Sequence, residues 1–553
     1  MAGAVRRSKL ILGGGALRLD APFRALLRPG RDVLPVYHPE RAGWSVALRK
    51  LALFTGIVLL AIVYGFLVAI LPPSLLVGAA APLALLAMLV VWALPEARTA
   101  PTRALGRVYT TFVIVFIAWP NYLAVAVGGL PWISMRRLVG FVLTGILMIC
   151  LSISKPFRQQ MAEVLRTSPW LARLLISFFI IQFLATIFSV APGDTIGRWV
   201  HITFTSTAAC FATIWLFGPG GKSVPWFVNR LALVVFLLMV VGVFEARTQH
   251  VLWLGHIPSF LRIDDAVLQD LIQPHIRGGY RVVTTYTTPL AYGELLALTT
   301  PFILFRIVNA KTWPMRLMWA GFDAFILYSA VLSTARLSLV GFIAAHALFG
   351  LCWGIHRWRN ARGDMIGISA TMIYPALMVA LMLAVLFVPA IHIRVLGGGA
   401  AQASTDARSA QFHMAVPVIA RRPLLGYGLG QGGRAINWRT PDGTLTIDLG
   451  LVALCADVGV FGFLAWMGTL LLSVVSLFRA GLRDVASPFP AEFAIAISLA
   501  VLISTRLVLA QGDNDPLFVI LFGLSLAMLY RARLRDRGDP VPGGMKTVGA
   551  GEH

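Results

Sequence analysis

The chain has 553 residues, of which 58% are apolar and only 13% charged, with 47 Lys and Arg against 24 Asp and Glu and a mean hydropathy of +0.80. Soluble domains carry about 25% charged residues, and a nucleic-acid binder with a +23 charge would not also be this apolar. Disordered and fibrous classes are excluded on the same ground, and four cysteines exclude a disulfide scaffold, so the composition is that of a chain that lives in lipid.

In chain order, residues 1–50 hold ten basic residues and the run Gly13-Gly14-Gly15, with no apolar core and no cleavable signal pattern. No Gly-Lys-Ser/Thr follows the glycines, so we read a basic cytoplasmic arm with a flexible linker rather than a phosphate loop. Apolar stretches long enough to cross roughly 30 Å of hydrocarbon then follow. They fall at 51–71, 74–94, 108–130, 138–154, 171–191, 200–218, 229–246, 284–305, 317–333, 337–355, 367–390, 447–478, 489–510 and 515–530, which gives fourteen spans. The segment 447–478 is overlong and is expected to include an interfacial turn. The expected fold is an all-α, polytopic integral membrane protein with a large helical outer loop. Its parts are an N-terminal bundle over 51–246, an outer loop over 247–283, helices over 284–390, the large outer loop over 391–446, final helices over 447–531 and a disordered tail over 532–553. Cys150, Cys210, Cys352 and Cys455 fall in spans as small apolar packers.

With the N-terminus inside, the inner segments hold 32 basic residues and the outer ones 15. This positive-inside bias favours an even number of spans and places both termini in the cytoplasm. All six lysines are inner, so every outer basic residue is arginine. Arginine offers phosphate or carboxylate a planar, bidentate fork; an arginine-rich codon usage yields the same ratio without function.

Both long outer loops contain enough apolar residues to pack. Helical spacing is expected over 264–272, ending before Pro274, and over 405–422, where Phe412, Val416 and Ile419 share a face flanked by Arg408 and His413. The string from Arg277 through Tyr280, Arg281 and four threonines to Pro289 sets hydroxyls beside two arginines at the start of a span. Snorkelling to headgroups is the simpler reading of that pair. Arg336, in Ser333-Thr334-Ala335-Arg336, lies between two apolar spans joined by almost no loop, and an ionisable residue there is a functional candidate. The large loop ends in Arg421-Arg422-Pro423-Leu424-Leu425-Gly426-Tyr427-Gly428-Leu429-Gly430, with Arg434 just beyond. No βαβ unit surrounds these glycines, so they are read as turns or close backbone approaches. Asp448 and Asp457, nine residues apart, would stand about 13–14 Å apart along a helix and half a turn around it, too far for an acid/base dyad. Asp448 is a candidate base or arginine partner, and Asp457 is read as structural.

The order of these elements from Arg277 to Gly462 resembles the O-antigen ligase and lipid-linked glycan polymerase superfamily. The resemblance rests on Arg281 with Pro289 before one span, on Arg336 at a short Ser/Thr-rich turn, and on a large loop opened by Arg408 and closed by Pro423 to Gly430. A span with an acid followed by glycine completes it, as Asp448, Asp457, Gly459 and Gly462. It implies a bacterial inner-membrane glycosyltransferase that uses undecaprenyl-diphosphate-linked glycans as donor and acceptor on the periplasmic side, without nucleotide sugar, metal or other cofactor. Flippase and chain-length regulator proteins are its candidate partners; nucleic acid is not. The ligase branch places a histidine where this chain has Leu449, which favours a polymerase of exopolysaccharide or O-antigen over a ligase. In that reaction Arg281, Arg336 and Arg408 are assigned to the diphosphate, with Arg277 and Arg434 as helpers. Asp448 or His413 is the candidate base, and Pro289, Gly426, Gly428, Asp457 and Gly459 are structural. The competing class is a glycolipid transporter or flippase, which would distribute charges through the bilayer midplane.

Overall fold

The computed structural model describes residues 101–125, 133–263, 280–360, 365–389, 402–439, 449–507 and 512–542, with scattered positions between 48 and 100 and single positions 392, 447 and 510. The chain divides into units 1–79 and 80–553. In the first, the described positions from Leu48 to Val63 are helical. The expected spans 51–71 and 74–94 lie largely outside the described residues, as do the arm, the expected helix 264–272 and the end of the tail.

The second unit is a helical bundle. Its helices are α1 (Thr102–Ala118), α2 (Met135–Ile153), α3 (Lys155–Thr167), α4 (Pro169–Ile187), α5 (Pro192–Phe217), α6 (Val224–Thr248), α7 (Pro289–Val308), α8 (Trp313–Leu332), α9 (Arg336–Asn360) and α10 (Met365–Phe387). Then come α11 (Gln402–Arg421), the short α12 (Gly432–Ile436), α13 (Gly450–Arg483), α14 (Ala491–Arg506) and α15 (Asp515–Arg537). Nine of these are long and apolar enough to cross a membrane among the described residues. The helices start where the sequence supplies hydroxyl caps. Ser134, Ser154, Ser223 and Thr288 each accept the N–H three residues on, and proline occupies the first turn after three of them, where its missing N–H costs nothing.

Burial differs sharply among these helices. The apolar window of α7 is 83% buried and that of α15 89%, against 22% for α8. Hence α7 and α15 form the interior, α7 enclosed by α8, α9 and α14, while α8 turns most of its surface to lipid.

Where the structure departs from the sequence reading, or locates what it expected, the causes are local. The expected span 108–130 is helical only to Ala118, because Pro120 drives the residue before it out of the helical region, and Trp119 is extended. The chain then forms β1 (Leu123–Val125), antiparallel to β2 (Leu261–Ile263), with Leu123 opposite Ile263. The turn expected in the overlong segment falls at Gly459, whose φ of 73° and ψ of 177° break α13. Finally, α15 runs to Arg537, past the start of the expected disordered tail, and Arg535 there bonds Asp484 and Glu492.

Hydrogen bonds gather the connections of the bundle at two ends. At one end the α1–α2, α6–α7, α8–α9 and α14–α15 connections are joined, by Arg136 to Asp513, Thr285 to Ile117, Thr287 to Asp513 and Val282 to Leu332. At the other, Arg531 bonds the carbonyl of Lys222, Asn309 that of Phe489, and His356 that of Asp484.

Candidate functional site

The segment 280–288 is the first component. Glu245, fully buried in the last turn of α6, accepts the backbone N–H groups of Val283 and Thr284, both at 2.8 Å, and the Tyr280 hydroxyl at 3.0 Å. Burial, and then the adjacent Glu245 carboxylate, push the Tyr280 phenol above its ordinary value, so Tyr280 stays a neutral donor. Thr285 bonds the carbonyl of Ile117 at 2.9 Å, and Thr287 the carboxylate of Asp513 at 2.9 Å. Val282 donates to the carbonyl of Leu332 at 3.4 Å, which seats this segment on the end of α8, directly beside the turn that introduces Arg336. The segments carrying Arg281 and Arg336 are thus adjacent although 55 residues apart in sequence.

Strain marks the same seam. Thr284 has φ of 54° and Thr334 has φ of 47°. A β-branched residue in the left-handed region is a true outlier that costs on the order of 1–3 kcal/mol. One outlier lies three residues after Arg281 and the other two before Arg336, so the backbone that aims both arginines is held by its surroundings.

Beneath this seam runs a buried polar network. Glu294, one turn into α7, is ion-paired with Arg506, whose Nη2 donates to it at 3.3 Å, and accepts the Thr505 hydroxyl at 3.0 Å and the Asn514 amide at 2.9 Å. Arg506 also reaches Asp515 at 3.1 Å. Arg136, buried at the start of α2, donates to the carbonyls of Phe116 at 2.9 Å and Asp513 at 3.1 Å. The ends of α1, α2, α7, α14 and α15 are therefore tied into one polar cluster, and Asp513 connects it to the Arg281 segment through Thr287. Pro289 opens α7 between the two.

The glycine-rich segment is the second component. The carboxylate of Asp457 accepts the N–H groups of Gly430 and Gly432, each at 2.7 Å. Tyr427 and Gly428 donate to the carbonyls of Ala456 and Asp457, and Val460 to that of Pro423. The segment 423–432 is thereby stitched along the break in α13. The close approach requires glycine. A Cβ on Gly428, whose φ is 107°, would run into the side chain of Ser189, and one on Gly459 would run into the carbonyl of Leu424. Gly426 also has positive φ and abuts Ala456 and Asp457, while Gly430 lies against the Arg198 guanidinium.

The helix expected over 405–422 is present as α11. Gln411 and Ala415 are buried, with Ala415 packed against Ile436, Val452 and Ala456, whereas Phe412 is 47% and Val416 51% exposed. Ala415, with Val418 and Ile419 beside it, lies on α12 and α13, and Phe412 and Val416 are left outward. Arg408 is on the inward side, one turn from Gln411. Its Nε is buried with no hydrogen-bond partner among the described residues. His413 is exposed, with Nδ1 2.7 Å from the carbonyl of Ser409, and at about 100° per residue it points well away from Arg408. Arg434 is exposed and paired with Asp194 at 2.6 Å. Arg277 and Asp448 lie outside the described residues.

Sequence reasoning passed over Glu245, Arg136, Arg198, Arg506 and the run Asp513-Asn514-Asp515. Arg136, Arg198 and Arg506 belong to the all-arginine outer set, so that set carried the signal, but nothing in the sequence said which of its members pair internally. No curated protein matches this chain. A family model described as O-antigen ligase matches residues 295–467, from the first turns of α7 to the middle of α13, and so takes in Arg336, Arg408, the glycine-rich segment and Asp457. Residues 295–467 thus match the O-antigen ligase family model, which supports the resemblance to the O-antigen ligase and lipid-linked glycan polymerase superfamily.

Proposed function

We propose that this protein is a metal-independent membrane glycosyltransferase that joins undecaprenyl-diphosphate-linked oligosaccharide repeat units into exopolysaccharide or O-antigen at the periplasmic face of the inner membrane, with both termini cytoplasmic. The observation that carries this reading is the seam at which the Arg281 segment is seated on the end of α8 beside Arg336. In the reaction, a hydroxyl of the acceptor glycan attacks the anomeric carbon of the donor. The new glycosidic C–O bond forms as the bond to the lipid diphosphate breaks, and the hydroxyl proton leaves to a base. Negative charge grows on the departing diphosphate, and guanidinium groups already fixed in place stabilise it without reorganisation. Arg281, Arg336 and Arg408 are the groups for that role; the buried, unbonded Nε of Arg408 supports its inclusion. Arg277 is a further helper, and Arg434 could join only by leaving Asp194. Asp448 is the preferred base over His413, whose ring faces away from Arg408.

Ligation of the glycan to a lipid A core is the second reading, favoured by the description of the matched family. Leu449, where the ligase branch carries histidine, favours polymerisation. Transport is less well supported, since two carboxylates within the spans are paired: Glu294 with Arg506, and Asp323 with His346 at 3.0 Å. Product analysis separates the readings. Purified protein given lipid-linked repeat units is expected to yield a ladder of glycan lengths on lipid diphosphate. A single transfer to lipid A core would establish the ligase reading instead, and unchanged substrate would overturn both.

A further inference from the structure

A second cationic feature lies at the other end of the bundle and plays no part in the chemistry above. An open cleft of about 600 Å³ separates the first turns of α1 from the segment 215–230. Arg103, Arg107, Lys222 and Arg230 line it together with Trp215 and Trp226, and no carboxylate is among its described lining residues. The cations are arranged before any ligand arrives. Arg230 donates to the carbonyl of Trp226 at 3.0 Å and stacks 3.9 Å from the centre of its ring, while Lys222 Nζ is 5.0 Å from the same ring. The backbone under Lys222 is closed by bonds from Gly220 to the carbonyl of Trp215 at 2.7 Å and from Lys222 to that of Leu216 at 2.9 Å. Arg103 and Arg107 are one turn apart on α1 and face the same space.

We propose that this cleft binds the phosphate headgroup of an anionic membrane phospholipid. Four cations converging without a carboxylate repel one another unless an anion joins them, and phosphate oxygens match the guanidinium fork. The source of the phosphate is lipid rather than solute because the cleft opens where α1 enters its apolar run. Ile114, two turns beyond Arg107, is exposed and available to an acyl chain, and the two tryptophans are the residues that favour the headgroup level. Basic pockets between spanning helices bind such headgroups. The cleft is distinct from the Arg281 seam, since α1 is 17 residues long and Ile117, near its far end, accepts the bond from Thr285; the two sites are about 25 Å apart.

The test is native mass spectrometry of the full-length protein in detergent, titrated with diphosphatidylglycerol or with zwitterionic phosphatidylethanolamine. Diphosphatidylglycerol should be retained preferentially, and Arg103→Gln with Arg107→Gln should weaken that retention roughly thirty-fold, at about fivefold per cation. Both side chains are exposed, so the double variant should keep the wild-type unfolding temperature. Equal retention of the two lipids by the wild-type protein would overturn the proposal whether or not the variant folds, as would unchanged retention by a folded variant. Displacement of the lipid by micromolar inorganic diphosphate would overturn the assignment to lipid.

Discussion

The polar cluster beneath the Arg281 seam and the Arg103 cleft use the same residue type in opposite ways. In the cluster, arginines sit among carboxylates and carbonyls that fix both them and the backbone around them: Arg506 on Glu294 and Asp515, and Arg136 on two carbonyls. At the Arg103 end, exposed or half-buried cations gather on an open cleft that offers them no carboxylate. The first arrangement spends much of its charge on holding a constellation in place, and the second leaves its charge facing outward. The difference teaches that arginine count at a membrane face says little until internal partners are subtracted.

The comparison breaks most readily at the buried pair. Removing one partner of a buried ion pair costs about 3–5 kcal/mol, because the other charge is left uncompensated. Arg506→Ala should therefore lower the unfolding temperature in detergent more than any other single change considered, and a variant as stable as wild type would show that the network does not hold this end together. Next come Arg281→Ala, Arg336→Ala and Arg408→Ala. Loss of one preorganised donor to a developing anion costs about 10²–10³-fold in rate. Long polymer should disappear in each while the protein stays in the membrane at wild-type level; normal polymer length in all three would remove them from the mechanism.

Smaller effects sharpen the contrast further. Gly428→Ala should destabilise by about 1–3 kcal/mol, since the added methyl meets Ser189 and the backbone is left-handed. An unchanged unfolding temperature would mean that the glycine-rich segment is not seated against Ser189 in the α4–α5 connection as described. Glu245→Gln keeps the shape but weakens three charge-assisted bonds, so about 1–2 kcal/mol of stability should go, with slower turnover. At the far end, Lys155→Gln on the exposed start of α3 should change stability by less than about 0.5 kcal/mol and leave turnover unchanged.

Helix positions were legible because spans are long, continuous apolar runs, and the serine, threonine and proline signals at their starts are local. The glycine-rich segment was legible as close approach, and Asp457 as a group that bonds a neighbour, though not that one docks on the other. Those contacts join residues about 30 positions apart through backbone atoms, which periodicity does not encode. The packed side of α11 was not legible, because Ala415, through which it packs, is a small residue among larger apolar ones such as Phe412 and Val416. In a chain surrounded by lipid, bulk apolarity does not tell inside from outside, so the small residues mark the packed side. Glu245 stayed hidden for a related reason: its partners are backbone N–H groups that any residue supplies.

The account stands or falls on where a lipid diphosphate sits. A polyprenyl-diphosphate glycan carrying a photoactivatable group beside the diphosphate should crosslink, in the intact protein, to peptides containing residues 280–288 and 333–338, and Arg336→Ala should abolish the adduct. Crosslinking confined to the Arg103 cleft, or undiminished in Arg336→Ala, would contradict it.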